Sequence, residues 1–276
     1  MLHSEQVAVY NPAWMVLPPF DTGSDPAASM ARKDNIDRIL REWPYDPQGI
    51  SVRKKKGDDG REVLQMRLDL GLLQLETTGR PDGQRPQGAP TYYDYLVGRT
   101  LIEGDDYIMT EEECEEADRE FVQYYHRRIC WLALREFDRA VADADHTLRM
   151  MDFCRDHSPD EQWTLSHEQY RPFVLFHRTQ AAALAALSDR GAEAAVEEIT
   201  KGLAQMRQVF VDYDAEDEFE EDELVQRMVE LRESLRQHFR VGRTLKEQLE
   251  DAIANEKYEL AAEIRDELNR RDSRIR

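Results

Sequence analysis

The C-terminal stretch Thr244–Arg270 reads T-L-K-E-Q-L-E-D-A-I-A-N-E-K-Y-E-L-A-A-E-I-R-D-E-L-N-R. It predicts two short helices folded back on each other. Thr244, followed three residues later by Glu247, is a capping box, a pairing typical of a helix start. Apolar residues then recur at helical spacing on both sides of a break at Asn255 and Glu256, which supply turn chemistry.

The two predicted helices leave an outer face that needs a partner surface. A hairpin of about 30 residues cannot bury enough apolar surface to be stable alone. Its outer face must therefore rest on the rest of the chain, on a second copy or on a partner. The small pair Ala261–Ala262 allows the helices to approach closely. The candidate contact residues are Leu245, Leu249, Ile253, Tyr258, Ala261, Ala262, Ile264, Arg265 and Leu268.

This stretch resembles the UVR motif, the C-terminal helical hairpin of the excision-repair helicase subunit UvrB. The motif also occurs in the nuclease subunit UvrC and in regulators of Clp proteases. The resemblance implies a protein–protein contact element without a catalytic residue. The alternative is an ordinary terminal hairpin packed on its own domain. The matching residues are Leu249, Glu250, Ala252, Ile253, Glu256, Tyr258, Glu259, Ala261, Ala262, Arg265, Asp266 and Leu268.

The cysteines separate this chain from the Clp-regulating branch. Those relatives carry four N-terminal cysteines for a metal, whereas this chain has three, namely Cys114, Cys130 and Cys154. Their odd number and wide spacing fit neither a disulfide framework nor a zinc site. A reducing cytoplasm is the simplest compartment.

The charge balance argues against a broad nucleic-acid surface. The formal net charge is −20 in 276 residues, and phosphate neutralisation needs clustered Lys and Arg. Val52–Lys56 (V-R-K-K-K) is the dense basic run of the body, and it reads equally well as a phosphate contact or as a Lys-rich edge strand that discourages aggregation. The Arg-rich C-terminal tail is a second, shorter basic candidate.

Four segments are predicted along the chain. Residues 1–30 form an extended or disordered tail rich in proline; alternatively, Met30 is the natural start. Residues 31–90 hold a short helix, an antiparallel β-meander kinked at Gly71, and a Gly/Pro loop that we expect to be mobile. Residues 91–240 form a helical domain, and residues 241–276 hold the hairpin. The fold class is mainly α (α+β).

Start and stop signals divide the helical domain. Thr110 with Glu113 is a second capping box. Ser158–Glu161 (S-P-D-E) predicts another helix start with Ser158 as the N-cap. Gly191 predicts a stop, and the acidic run Asp212–Asp222 predicts a solvated linker.

Two segments of this domain look alike. Leu134–Val141 and Ser188–Val196 each predict a helix end, a tight turn and a new helix near an Ala-Val pair. They are similar to the turn and second helix of a tetratricopeptide repeat, although their spacing exceeds its ~34-residue period. A plain helical bundle is the alternative, and either architecture offers grooves for helices or peptides.

No catalytic motif is present in the sequence. Nucleophile elbows, Walker loops and Rossmann glycines are absent, and we expect no catalytic, cofactor-binding or metal-binding residue. Three pairs at helical spacing have metal-ligand chemistry, but chance explains them better in so acidic a chain. They are Asp143/His146, Cys154/His157 and His126/Cys130.

The sequence alone leaves three functions open. The first is a non-enzymatic adaptor or regulator whose hairpin contacts a protein partner, either UvrB/UvrC-like or Clp-type machinery. The second is an accessory factor of nucleotide excision repair, and the third is an uncharacterised enzyme on a helical scaffold. A homodimer is compatible with each. No apolar run approaches the ~18 residues of a membrane helix.

Overall fold

A computed structural model of the chain describes residues 35–104 and 106–275, without the side chains of Glu250 and of residues 271–275. The predicted tail at residues 1–30 lies outside this range. The structure is 68% helical with one small antiparallel sheet, which confirms the mainly α (α+β) fold class.

The elements follow the order that the sequence predicts. The strands are β1 (Val52–Lys56), β2 (Glu62–Arg67) and β3 (Leu72–Glu76). The helices are α1 (Asp37–Glu42), α2 (Tyr92–Glu103), α3 (Glu111–Ala133), α4 (Phe137–His157), α5 (Glu161–Glu168), α6 (Arg171–Asp189), α7 (Ala192–Asp212), α8 (Glu223–Phe239), α9 (Leu245–Ala254) and α10 (Tyr258–Ile275).

The sheet is a three-stranded meander in the order β1-β2-β3. In its register Lys54 faces Leu64, and Leu64 faces Leu75. Gly71, predicted as a kink, instead closes a tight turn, because its carbonyl accepts the Leu68 amide at 2.9 Å. Leu64 and Leu75 are buried against Trp131 of α3. The sheet therefore shares a core with the helices.

The helical body is built from long helices that pack against one another in series. α3 packs on α4, α4 on α6, α6 on α7, and α7 on α8. α6 and α7 approach most closely where Gly202 faces Thr179, since a Cβ on Gly202 would lie 2.1 Å from the Thr179 hydroxyl oxygen. α3–α4 and α6–α7 both form the predicted helix–turn–helix units. Their relation to tetratricopeptide repeats stays a prediction, and so do the domain boundaries.

Helix starts follow local chemistry, with one correction. The Thr110–Glu113 capping box is present, with the Glu113 carboxylate accepting the Thr110 amide at 2.8 Å. The prediction that Ser158 caps α5 is wrong. Ser158 ends α4, and Asp160 caps α5 by accepting the Gln162 amide at 2.9 Å. The Asp carboxylate is a strong N-cap, and Pro159 separates the two helices.

Two predicted linkers are fastened to the body. In the acidic run, a short 3₁₀ helix buries Phe219 with its ring 5.5 Å from that of Phe210. The Gly/Pro loop is anchored through Arg80, which is 4% exposed and whose guanidinium pairs with Glu116 of α3 at 2.9 Å. Arg127 also donates to Gly79 O at 2.7 Å. The loop is therefore held by buried guanidinium groups.

Candidate interaction hairpin

The hairpin begins at the predicted capping box. Thr244 is buried, and its hydroxyl accepts the Glu247 amide at 3.3 Å. The Glu247 carboxylate accepts the Thr244 amide at 2.8 Å. These reciprocal bonds satisfy two of the orphan amides at the start of α9.

The turn between α9 and α10 is a Schellman motif. The Lys257 amide donates to Ala252 O at 2.7 Å, and the Glu256 amide donates to Ile253 O at 3.0 Å. Glu256 adopts φ +58°, a left-handed conformation that glycine normally supplies. The turn predicted at Asn255 and Glu256 is thus present, with a non-glycine residue in its strained position.

The predicted contact residues divide into two groups. Ala252, Ala261 and Ile264 are buried between α9 and α10. The partly buried residues packed against them are Leu245, Leu249 and Leu268, and Ala262 is also partly buried. Five of the nine predicted residues, namely Leu245, Leu249, Ala261, Ile264 and Leu268, thus form the seam that holds the hairpin together.

The remaining apolar residues face outward at the turn of the hairpin. Ile253 is 53% exposed and Tyr258 is 67% exposed. Leu260, which the sequence analysis did not select, is 45% exposed. We call Ile253, Tyr258 and Leu260 the apolar tip. Arg265 is also exposed, with its guanidinium 4.0 Å from Asp266.

Ion pairs tether the opposite end of the hairpin to the body. Lys246 Nζ lies 3.0 Å from Glu197 of α7. Arg236 of α8 pairs with Glu247, and it donates to Gly242 O at 2.8 Å. Burial raises the pKa of Glu247, but the Thr244 amide and Arg236 outweigh burial and hold that pKa below its usual value. The tether is thus polar and local, and it leaves the apolar tip uncovered.

A second feature, which the sequence did not predict, is a cluster of buried charges in the body. Glu120 is 1% exposed and accepts the Tyr92 amide at 2.6 Å and the His146 ring at 2.8 Å. Arg80 approaches the same carboxylate at 3.5 Å. The members of this cluster come from distant parts of the chain, so no local motif predicts it. The one available signal was the presence of ionisable residues on the inner face of α3.

A polar cleft lies beside the cluster's helices, between α4, α6 and α7. Its volume is about 680 Å³. Arg171 crosses it and is held by Glu168 at 2.5 Å and by Asp152 at 3.0 Å. Arg171 is thus already paired with carboxylates of the protein, and the cleft is therefore a weaker candidate site than the hairpin.

The described cysteines and histidines do not converge on a metal site. All three cysteines are free and buried, and burial raises the pKa of Cys114 to about 11 and that of Cys130 to about 12. Within the described residues, no group of three or more His, Cys, Asp or Glu side chains could hold a metal ion. Among the described helices, none combines the length and apolar character needed to cross a membrane.

Comparison with known proteins bears on the hairpin alone. A family model described as the UvrB/uvrC motif matches residues 243–270. This match confirms the resemblance on the stretch from which it was inferred. Searches of curated proteins and of solved structures each returned no match.

Proposed function

We propose that this chain, which ends in a UvrB/UvrC-type hairpin, is a non-enzymatic adaptor or regulator that binds a protein partner through the apolar tip. One observation carries the proposal. The hairpin completes its own seam with Ala252, Ala261 and Ile264 and still exposes three large apolar side chains on its outside.

The exposure of the tip favours recognition over internal packing. Single exposed apolar residues need no explanation, but clustered ones at the end of an element mark interaction sites. Ile253, Tyr258 and Leu260 surround one turn, whereas the ion pairs with the body lie at the other end of the hairpin, near the start of α9. A partner that covers the tip would bury apolar surface without unfolding the hairpin.

The chain's charge favours a protein partner over a direct nucleic-acid contact. The net charge is −20, and the basic run of β1 is partly neutralised because Lys54 pairs with Glu136. The sequence holds no phosphate-cradling loop. The non-enzymatic assignment is part of the proposal and rests on the absence of catalytic motifs from the sequence.

A role as an accessory factor in nucleotide excision repair is the second candidate. The description of the matching family model favours it, because UvrB and UvrC carry hairpins of this kind. In this second proposal, the hairpin of this chain contacts the hairpin of UvrB or UvrC, and the chain itself does not bind DNA. Two other partners could cover the apolar tip, and the test must distinguish them from UvrB and UvrC. They are a second copy of the chain and Clp-type machinery.

The test is an affinity capture by the full chain, compared with a variant ending at Arg240 and with Ile253→Asp. Purified UvrB, UvrC and Clp subunits from the same organism are offered separately, and sedimentation of the chain alone reports self-association. We expect the full chain to capture one of these proteins, and we expect neither the shortened variant nor Ile253→Asp to capture it. Equal capture by all three variants would contradict a hairpin contact.

A further inference from the structure

Two adjacent buried arginines of α3 have opposite electrostatic surroundings. Arg127 is 4% exposed and forms a two-pronged pair with Asp143, at 2.9 Å and 2.7 Å. Arg128 is 1% exposed. Among the described residues it has no salt bridge, and its one hydrogen bond runs from Nη1 to the Thr147 hydroxyl at 3.2 Å. Arg128 is therefore a buried cation without a dedicated anion.

The surroundings of Arg128 contain further unused hydrogen-bonding capacity. Arg128 Nε and His177 Nδ1 are both buried without a hydrogen-bond partner. Burial and the nearby charge of Arg128 lower the pKa of His177 to about 4, so that ring is neutral near pH 7. Asp143 acts on Arg128 electrostatically, but its oxygens are already engaged by Arg127.

An aromatic surface covers this guanidinium. The Arg128 guanidinium carbon lies 5.8 Å from the centre of the Tyr125 ring, and Tyr125 is 38% exposed. The Tyr125 ring lies 6.3 Å from Phe173, which in turn lies 4.2 Å from His177. Side chains of α3 and α6 thus place rings at the surface directly above an unpaired cation.

A buried charge with an incomplete set of partners is costly. Leaving one buried donor unsatisfied costs about 1–3 kcal/mol, and more when the group is charged. Native structures rarely retain such groups without a role or a missing partner. The paired Arg127 beside it shows that the same helix can satisfy a buried guanidinium fully when a carboxylate faces it.

We propose that the α3–α6 surface around Tyr125 is a second docking site, which takes an acidic segment of a protein partner. One carboxylate of that segment completes the hydrogen bonds of Arg128, and Tyr125 and Phe173 pack against its neighbours. Tyr125 is the partly exposed ring that turns outward to admit the carboxylate. This site is separate from the apolar tip of the hairpin.

The charge of the site selects a carboxylate over a phosphate. One unpaired guanidinium is matched by one negative charge, and a planar carboxylate accepts two parallel N–H groups from an arginine. A phosphate group carries more negative charge than one guanidinium can neutralise. His177 Nδ1 is one further polar atom without a partner, and a site with so few polar atoms suits a small acceptor such as a carboxylate.

The first test compares thermal unfolding of the full chain with its Arg128→Met variant. Because methionine fills similar space without an unpaired charge, we expect the variant's Tm to rise by about 2 °C or more. Arg80→Met is the matched control. Arg80 is also buried and its Nε also lacks a hydrogen-bond partner, but its guanidinium pairs with Glu116 at 2.9 Å, so its removal is expected to lower Tm.

The second test uses acetate, the head group of an acidic side chain, as the probe. At constant ionic strength, replacing chloride by acetate is expected to raise the wild-type Tm by about 2 °C through binding to the folded state. Neither Arg128→Met nor Arg128→Gln should respond. Phosphate at the same ionic strength is expected to give no Arg128-dependent shift.

Three results would overturn the proposal. A lower Tm in Arg128→Met would show that Arg128 is a structural residue satisfied in the free protein, for example by an ordered water. An acetate shift that is absent in the wild type, or retained in both Arg128 variants, would exclude a carboxylate site there. A phosphate shift without an acetate shift would replace the acidic segment by a phosphorylated ligand.

Discussion

Glu120 is the residue on which the buried charges of the body converge. Its carboxylate accepts the amides of Tyr92 and Tyr93 at 2.6 Å and 3.1 Å, and these amides open α2. The same carboxylate meets the His146 ring at 2.8 Å. One side chain of α3 thereby fixes both the start of α2 and a side chain of α4.

Glu120→Ala should be among the most destabilising single changes in the body. It leaves two amides at a helix start and the buried Arg80 short of an acceptor, and breaking such a buried charge pair costs about 3–5 kcal/mol. Urea unfolding followed by circular dichroism measures the loss. Glu115→Ala, at an exposed position of the same helix, should change stability by about 0.5 kcal/mol or less.

Glu247 links the hairpin's fold to its tether and makes that link sensitive to acid. The pKa of Glu247 in the folded protein is held below the usual 4.5. The stabilisation that the ionised Glu247 gives to the fold is therefore fully present above pH 4.5, and it is lost as pH falls through that lowered pKa. A carboxyl-carbon NMR titration should give a pKa below 4.5, and Arg236→Met should raise it. An unshifted value in the wild type would show that the pair does not form in solution.

At the scale of elements, the turn between α9 and α10 carries backbone strain that can be relieved. Glu256 adopts φ +58°, a conformation that costs a non-glycine residue about 1–2 kcal/mol. Glu256→Gly should therefore stabilise the hairpin, with a net gain of about 0.5 kcal/mol after the greater entropy of glycine in the unfolded chain. Slower amide exchange in α9 and α10 would report this gain, whereas faster exchange would contradict it.

Elements whose signals are local could be predicted from the sequence. The capping boxes at Thr110 and Thr244 place helix starts by contacts within four residues, and both are present. The run Gly57–Gly60 (G-D-D-G) likewise has local turn chemistry, and it joins β1 to β2. The error at Ser158 arose because Ser158 and Asp160 both have N-cap chemistry, and only the path of the chain after α4 selects between them.

Features that depend on distant parts of the chain could not be predicted. Arg80 looked like a loop residue because its partners Glu116 and Glu120 lie on α3, 36 or more positions away. The hairpin illustrates a second limit. Helical periodicity identified its apolar residues, but only the packing of α9 on α10 separates the seam residue Ile264 from the exposed Ile253.

At the scale of the whole molecule, the charge distribution predicts that the chain alone does not hold DNA. Two short basic runs oppose a net charge of −20, and fields at about 150 mM salt are screened within about 8 Å. We expect no measurable binding to duplex or single-stranded DNA under those conditions by fluorescence anisotropy. Tight binding that disappears on changing Lys54, Lys55 and Lys56 to Ala would contradict this prediction and would show that the β1 surface binds DNA.

We propose that the apolar tip binds a protein partner without contributing to the hairpin's own fold. Ile253 and Leu260 are exposed, so their replacement should leave the hairpin folded, whereas replacement of the seam residue Leu268 would unfold it. Gln248→Glu, an exposed change at the other end of α9, is the control for added negative charge.

The most direct measurement is the affinity of the captured partner for the double variant Ile253→Asp/Leu260→Asp, determined by surface plasmon resonance beside far-UV circular dichroism. If Ile253 and Leu260 form a binding hot spot worth about 2 kcal/mol or more, the double variant should bind the partner at least about 30-fold more weakly than the wild type. Its helix content should be unchanged. Gln248→Glu should bind like the wild type. Unchanged affinity in the double variant, or affinity lost together with helix content, would contradict the account.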